Sequence, residues 1–250
     1  MSASGATVET GEIARFAAQA EDWWNPEGSL RMLHRLNPVR LDFIRRYLLG
    51  HFSRDVLALH PFRGLGLLDI GCGGGLAAEP MARLGFAVTG IDAGAEAIAA
   101  ARTHANAVGL TIDYRIATGE AVAEAGEQFD AVLALEVIEH VADAEAFFAS
   151  VGALVRPGGA FVGATINRTA RSFVLAVIGA EYVLRWLPPG THDWSRFLRP
   201  SEFVLGLRRN GIAATQITGV TYEPRRAEWS LSPDLSVNYM IAATRRCFAV

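Results

Sequence analysis

The chain has 250 residues, 51% hydrophobic and 20% charged, which suits one large folded domain or one domain with additions. Its net charge of −3 gives no electrostatic reason to expect a nucleic-acid partner. The two cysteines, Cys72 and Cys247, are too few for a disulfide framework, and residues 1–12 lack the apolar segment of a signal peptide. These features predict a soluble protein in a reducing compartment.

The first fifty residues are predicted to form a helical cap on the main domain. We expect residues 1–11 to be a disordered start. Apolar side chains then recur at helical spacing as far as Trp24, and a second helix is predicted to begin near Pro38. We therefore assign residues 12–50 to an N-terminal helical cap and residues 51–250 to the main domain.

From Gly66 onward, short apolar strands alternate with helices. The strands are predicted at residues 66–70, 87–91, 111–116, 129–135 and 160–166, and the helices at 76–84, 93–108 and 144–154. After an insert at about 168–198, a helix near 200–210 precedes two strands, near 213–222 and 238–244, that are joined by a turn region. This pattern predicts an α/β fold: a Rossmann-like, seven-stranded, mostly parallel sheet with an antiparallel C-terminal strand.

The segment Leu68–Gly75 places Gly71, Gly73 and Gly75 just beyond the first strand. Ligands of open α/β sheets bind beyond the carboxyl ends of the strands, and glycine lets the backbone approach them closely. A tight strand-to-helix turn would also explain a glycine cluster here. The spacing G-x-G-G-G, however, lacks the third glycine of the dinucleotide pattern, because residue 76 is leucine.

Two acidic residues favour S-adenosylmethionine as the ligand of this loop. Asp69 stands two positions before the first glycine and can face the amino-acid end of that cofactor. Asp92 ends the second predicted strand and can accept hydrogen bonds from both ribose hydroxyls. Asp92 suits the ribose of NAD equally well, so an NAD-dependent oxidoreductase is the first alternative, although the missing glycine argues against it.

A second cluster follows the fourth predicted strand, with Glu136, Glu139 and His140 close together. Carboxylates and an imidazole can bind Mg²⁺ or another divalent cation, which would lower the pKa of a catechol hydroxyl chelated to it. Alternatively, Glu139 caps or pairs locally, and His140 is a general base or a structural histidine. The residues alone leave both interpretations open.

Several segments together resemble the ubiquinone-biosynthesis O-methyltransferases, a family of class I S-adenosylmethionine-dependent methyltransferases. The resemblance spans roughly residues 12–242, and its most specific segments are Trp23-Trp24, Leu33–Arg40 and Gly190–Asp193. It implies methyl transfer to a phenolic hydroxyl of polyprenylated ubiquinone precursors, namely a polyprenyl-hydroxyphenol (a catechol) and demethylubiquinol. A methyltransferase acting on another small phenol is a further alternative.

The same motif matches imply roles for individual residues. The resemblance implies cofactor contacts from Arg40, Gly71, Asp92 and Leu135, and divalent-metal ligands at Glu136, Glu139 and His140. Together with Asp69, Gly73 and Gly75 of the loop, these form the predicted cofactor and metal sites. Glu136 and His140 are the predicted catalytic residues, because a bound metal or His140 as general base would deprotonate the attacking hydroxyl. His192 and Asp193 can also reach the mouth of the site.

Residues 171–187 form the most apolar part of the insert, but Glu181 and Arg185 interrupt it and it is shorter than the ~20 residues of a spanning helix. Because a polyprenyl substrate resides in the bilayer, we interpret this segment as an interfacial helix that also serves as a lid. A core helix is the alternative. The prediction is a cytoplasmic protein attached peripherally to the inner face of the membrane and associated with other ubiquinone-biosynthesis enzymes. A non-catalytic lipid-surface protein that kept a cofactor fold is the last alternative.

Overall fold

The computed structural model describes residues 23–175 and 193–246. These residues form an eight-stranded sheet in the order β3-β2-β1-β4-β5-β8-β6-β7. The strands are β1 Gly66–Ile70, β2 Ala87–Asp92, β3 Asp113–Ile116, β4 Phe129–Leu135, β5 Val155–Ile166, β6 Ile212–Glu223, β7 Glu228–Ser232 and β8 Asn238–Arg245. The α-helices are α1 Arg31–His51, α2 Ala78–Arg83, α3 Ala95–Ala107, α4 Gly119–Glu124, α5 Ala144–Leu154, α6 Ala170–Ser172 and α7 Pro200–Arg209.

The predicted fold class is confirmed, and the sheet has one strand more than predicted. Strands β1 to β5 run parallel, while β8 is antiparallel to both β5 and β6. The extra strand, β7, lies in the region predicted to be a turn, and it pairs with β6 from Glu223↔Glu228 to Gly219↔Ser232. The short hairpin turn between β6 and β7 is rich in charged residues. These residues hide the apolar pattern by which the strand could be predicted.

The two faces of the sheet carry two separate hydrophobic cores. Successive strand residues point to opposite faces, so Leu67 packs in one core and Leu68 in the other. Helices α1, α2 and α3 cover the first face, and α4, α5 and α7 cover the second. This sandwich leaves the carboxyl ends of β1, β2 and β4 as the edge where a ligand can enter.

Helix α1 is longer than the predicted helix and contains Pro38 in its interior. The missing N–H of an interior proline removes one helical hydrogen bond and costs about 3 kcal/mol. Burial of Phe43, Ile44 and Leu48 against the sheet offsets that cost. The predicted helix before Trp24 and the predicted disordered start fall mainly on residues 1–22, outside the described residues.

Two further elements differ from the sequence interpretation. Helix α4 is not predicted by the sequence, whose short Gly119–Glu124 segment carries too few apolar residues to show a helical period. Strand β5 begins at Val155 rather than at the predicted residue 160, and its pairing with β4 shifts register between Phe129↔Val155 and Ala131↔Ala160. Most of the insert, residues 176–192, lies outside the described residues. In the described part of the chain, no helix has the length and apolar content required to cross a membrane.

Candidate active site

The glycine loop follows β1 at the open edge of the sheet. Gly71, Gly73 and Gly75 all have positive φ, at 66°, 52° and 92°. A side chain is strained in this backbone region, and a Cβ on Gly71 would lie 2.5 Å from a methyl carbon of Val137. The three predicted glycines are therefore required by the turn itself as well as by any ligand that approaches it.

Asp92 at the end of β2 holds the loop from the side. One carboxylate oxygen accepts a hydrogen bond from the Gly73 N–H at 3.0 Å, and the other accepts one from the Gly94 N–H at 2.8 Å. Burial raises the pKa of Asp92, while both amide hydrogen bonds lower it. The carboxylate is thus fixed at the carboxyl edge, and each oxygen keeps a lone pair with which it can meet a ribose hydroxyl.

Asp69 in β1 is almost fully buried, and its Oδ2 atom has no hydrogen-bond partner. Burial raises its pKa to about 7, against the opposing effects of the Arg40 charge and of a hydrogen bond from the Ala78 N–H. An unsatisfied buried carboxylate oxygen costs free energy. The free Oδ2 atom of Asp69 can therefore accept a hydrogen bond from a cationic group of a ligand.

Arg40 connects α1 to this edge. Its guanidinium forms an ion pair with Glu136 and donates to Asn37 Oδ1 at 2.9 Å, while its Nε has no partner. Asn37 in turn donates to the Leu76 carbonyl at 2.8 Å. Arg40, which is predicted to contact the cofactor, thus lies near Asp69, but both of its terminal nitrogens contact other side chains of the protein.

Glu136 follows β4 directly and has a positive φ of 52°, which is unusual for a residue with a side chain. Its N–H donates to the Ala164 carbonyl at 2.9 Å, so β5 fixes this strained position. Leu135, the last residue of β4, is half-buried beside it. Both residues lie at the predicted carboxyl edge of the sheet.

Glu139 is buried and accepts a hydrogen bond from the Thr165 hydroxyl at 2.7 Å, while its Oε1 has no partner. Burial raises the pKa of Glu139, and the neighbouring His140 lowers it. His140 is half-buried on the same 3₁₀ turn, Ile138–His140. A buried carboxylate thus lies within electrostatic reach of a solvent-accessible imidazole.

Among the described residues, the three predicted metal ligands are not brought together as a metal site, and that role stays a prediction. Glu136 is paired with Arg40, and Glu139 is hydrogen bonded to Thr165 in the interior. Across residues 23–175 and 193–246, no group of three or more histidine, cysteine or acidic side chains is placed to hold a metal. The competing interpretation, local pairing of Glu139 beside a basic His140, agrees better with these contacts.

Asp193, also predicted near the mouth of the site, serves a local structure. Its carboxylate accepts hydrogen bonds from the N–H and the hydroxyl of Ser195, at 3.0 and 2.6 Å, and these lower its pKa. It caps the 3₁₀ turn Trp194–Arg196 on an exposed surface. His192 lies outside the described residues.

Three residues shape the site without a role predicted from the sequence: Trp23, Asn37 and Thr165. The first two lie within segments that carry the family resemblance. Asn37 lies one helical turn before Arg40, so a polar pair at this spacing was the available signal. Thr165 reaches Glu139 only through the pairing of β4 with β5, which the sequence does not reveal. Trp23 packs on the glycine loop from a segment almost fifty residues away.

The fold is that of the class I methyltransferases. Residues 68–163 match the family model described as Methyltransferase domain. The crystal structure of magnesium protoporphyrin IX methyltransferase from Synechocystis PCC 6803 with bound SAH is similar in fold, with a TM-score of 0.66, 20% identity, and coverage of 94% of this chain and 99% of that chain.

Curated relatives identify the family within this class. The ubiquinone biosynthesis O-methyltransferase of Paramagnetospirillum magneticum is 54% identical over 235 residues, covering 94% of each chain. The ubiquinone biosynthesis O-methyltransferase of Cereibacter sphaeroides strain ATCC 17029 is 50% identical over 244 residues, covering 97% of this chain and 99% of the relative. The chain belongs to the ubiquinone biosynthesis O-methyltransferase family.

Proposed function

We propose that this protein transfers the methyl group of S-adenosylmethionine to a phenolic hydroxyl of polyprenylated ubiquinone precursors, both the catechol and demethylubiquinol. The observation that carries the proposal is the buried, unpartnered oxygen of Asp69 beside the glycine loop. A carboxylate held without a partner next to the loop suits the α-ammonium of this cofactor. NAD has no ammonium group that could donate a hydrogen bond to this carboxylate, so we do not retain an NAD-dependent oxidoreductase.

The chain's residues have distinct roles in binding the cofactor. Asp69 would accept from the α-ammonium, and Asp92 from the ribose hydroxyls while its amide contacts hold it in place. Gly71, Gly73 and Gly75 keep the loop free of side chains where the cofactor lies. The cofactor, when bound, supplies an activated methyl group, so the protein's main task is to align the acceptor oxygen with it, which can contribute up to about 7–11 kcal/mol.

Deprotonation of the acceptor is the second task, and we assign it to His140 as general base. The buried Glu139 lies close enough to interact electrostatically with His140 and would stabilise the imidazolium that forms. Glu136, fixed by Arg40 and by its strained backbone, would orient the acceptor at the same edge. No step of this proposed mechanism is routed through a divalent ion.

Membrane contact through the start of the insert is the third part of the proposal. Phe173, Val174 and Leu175 are 42%, 51% and 48% exposed, an unusual run of apolar side chains at the surface. Phe173 packs edge-on against the exposed Trp194, and both aromatic rings suit a membrane interface. These side chains support peripheral attachment to a membrane, for which we propose the inner, cytoplasmic face. Association with other enzymes of the pathway would follow from a shared membrane-bound substrate.

The direct test is a methyl-transfer assay with labelled S-adenosylmethionine and a short-tailed demethylubiquinol, with and without added divalent metal. We expect label in the methylated quinol under both conditions. Transfer that stops in a chelated, metal-free preparation and returns with metal would replace His140 by a metal as the agent of deprotonation. Cofactor binding without transfer to any prenylated phenol would overturn the proposed substrate.

A further inference from the structure

Trp23 lies against the glycine loop. A Cβ on Gly73 would clash with the six-membered ring of Trp23, and one on Gly74 would lie 2.5 Å from its Cγ atom. The indole therefore runs along both glycines, and their lack of side chains is what permits this contact. Trp23 is only 8% exposed and packs with Leu30, Leu76 and Ala97.

Contacts on either side fix the position of Trp23. Its carbonyl oxygen lies 2.9 Å from His34 Nε2 in α1. The adjacent Trp24 donates its indole N–H to the Gly74 carbonyl at 3.0 Å and stacks on His104, with ring centroids 3.5 Å apart. The two tryptophans are therefore held in fixed positions against the glycine loop.

The indole N–H of Trp23 is buried and has no hydrogen-bond partner. Leaving such a donor unpaired costs about 1–3 kcal/mol, so a buried, unpaired indole N–H beside a ligand loop indicates a missing acceptor. Other unpaired buried atoms belong to the same edge, among them Asp69 Oδ2, Arg40 Nε and the hydroxyl of Tyr114, which lies against Gly75. Both acceptors and donors are therefore left without partners at this edge.

The chemistry of the cofactor shows which of its groups can meet this donor. Its ammonium and ribose hydroxyls are donors, and Asp69 and Asp92 are suitable acceptors for them. Its carboxylate is an acceptor that requires N–H donors. Two unpaired N–H donors lie at this edge, Trp23 Nε1 and Arg40 Nε, while the terminal nitrogens of Arg40 donate to Glu136 and Asn37. Trp23 is therefore well placed to supply a charge-assisted hydrogen bond to an anionic group.

We propose that Trp23 is a cofactor-binding residue, which covers the amino-acid end of bound S-adenosylmethionine and donates its indole N–H to the carboxylate. This inference rests on the proposed function, since it takes the glycine loop as the cofactor site. It gives the Trp-Trp segment, which the sequence marks only by family resemblance, a definite chemical role.

The test compares two ligands by isothermal titration calorimetry: S-adenosylhomocysteine, and 5′-methylthioadenosine, which lacks the carboxylate and the ammonium. We expect Trp23→Phe to weaken S-adenosylhomocysteine binding about tenfold to hundredfold, as for a lost hydrogen bond to a charged group. Binding of 5′-methylthioadenosine should change less than about twofold, which also verifies that the variant is folded. Trp229→Phe is the matched control, because Trp229 also carries an unpaired buried indole N–H but lies on β7, at the sheet edge beyond β6.

Two results with Trp23→Phe would overturn the inference. Unchanged binding of S-adenosylhomocysteine would show that the N–H makes no cofactor contact. Equal weakening of both ligands would show that the indole acts on the nucleoside or on the shape of the loop. If the wild-type protein binds neither ligand, the proposed function itself fails, and that result is distinct from both of the others.

Discussion

Arg40 and Glu136 form an ion pair across 96 positions of sequence, in which the guanidinium side chain is 4% exposed and the carboxylate side chain 27%. The pair joins α1 to the strained residue that follows β4. It therefore links the N-terminal helix to the carboxyl edge of the sheet, where both proposed binding sites lie.

Replacement of Arg40 by Met should destabilise the protein by about 2–3 kcal/mol, because Glu136 and Asn37 both lose a charged partner in a largely buried place. Urea denaturation measures this change. Arg46→Met is the matched control on the same helix, since its ion pair with Asp42 joins side chains that are 58% and 55% exposed. The control should change stability by less than about 0.5 kcal/mol. Equal effects at the two positions would contradict a structural role for the Arg40 pair.

Asp69→Asn should weaken cofactor binding and yet stabilise the ligand-free protein at pH 8. The folded-state pKa of about 7 exceeds the ordinary value of 3.8, so the folded state retains a proton that the unfolded chain has lost between these values. The free energy of unfolding therefore falls as pH rises from about 4 to 7, by on the order of 4 kcal/mol. Asparagine removes this titration.

Denaturation of the wild type and Asp69→Asn at pH 4.5, 6 and 8 tests the sign of this effect. The gain from Asp69→Asn should be largest at pH 8 and should shrink towards pH 4.5. The affinity of the wild type for S-adenosylmethionine should also decline below about pH 7, because protonated Asp69 no longer attracts the ammonium. A pH-independent difference between the two proteins would show that Asp69 is not the titrating group.

Gly73→Ala should cost about 2–5 kcal/mol of stability and greatly weaken cofactor binding. Its positive φ of 52° strains any side chain, and a Cβ would also clash with Trp23. Gly109→Ala has a comparable φ of 69° but nothing within 4 Å of the added carbon, so it should cost only about 1–2 kcal/mol. Thermal denaturation and calorimetry on both variants separate the clash from the backbone strain.

His140→Asn should lower kcat by about 10²- to 10⁴-fold, the range for loss of a general base, with little change in affinity for S-adenosylhomocysteine. Steady-state kinetics with a short-tailed demethylubiquinol measures the first quantity and calorimetry the second. His60→Asn is the control, because the His60 side chain is exposed and its Nδ1 lies 3.0 Å from the Arg83 carbonyl oxygen. A His140 variant that keeps full kcat would exclude this residue as the base.

Serine at Phe173, Val174 and Leu175 together should reduce binding to anionic liposomes at least tenfold, because the variant presents less apolar surface to the lipid. Co-sedimentation measures the bound fraction. Activity on a soluble, short-tailed acceptor should be retained. The matched control is serine at Leu57 and Leu59, which are 90% and 81% exposed on a different loop. Equal losses in both variants would indicate nonspecific adsorption.

The sequence predicts best those features that depend on nearby residues. The strands β1, β2 and β4, the glycine loop and Asp92 follow from local apolar runs and turn chemistry. The contacts that complete the site join distant segments, as between Trp23 and Gly73, and single-sequence patterns carry no information about them. The additional strand β7 is not predicted for a related reason. It is a strand because it pairs with β6, and its own composition does not indicate one.

The unpaired buried atoms around the glycine loop also bear on how long the protein survives in the cell. Asp69 and Trp23 are left incompletely bonded in the ligand-free chain, so any ligand that satisfies them stabilises the folded state by mass action. At one hundred times the dissociation constant, that stabilisation is about 2.7 kcal/mol. The intracellular amount of this enzyme should therefore rise and fall with the supply of methyl donor, because starvation for the cofactor exposes more of the chain to proteolysis.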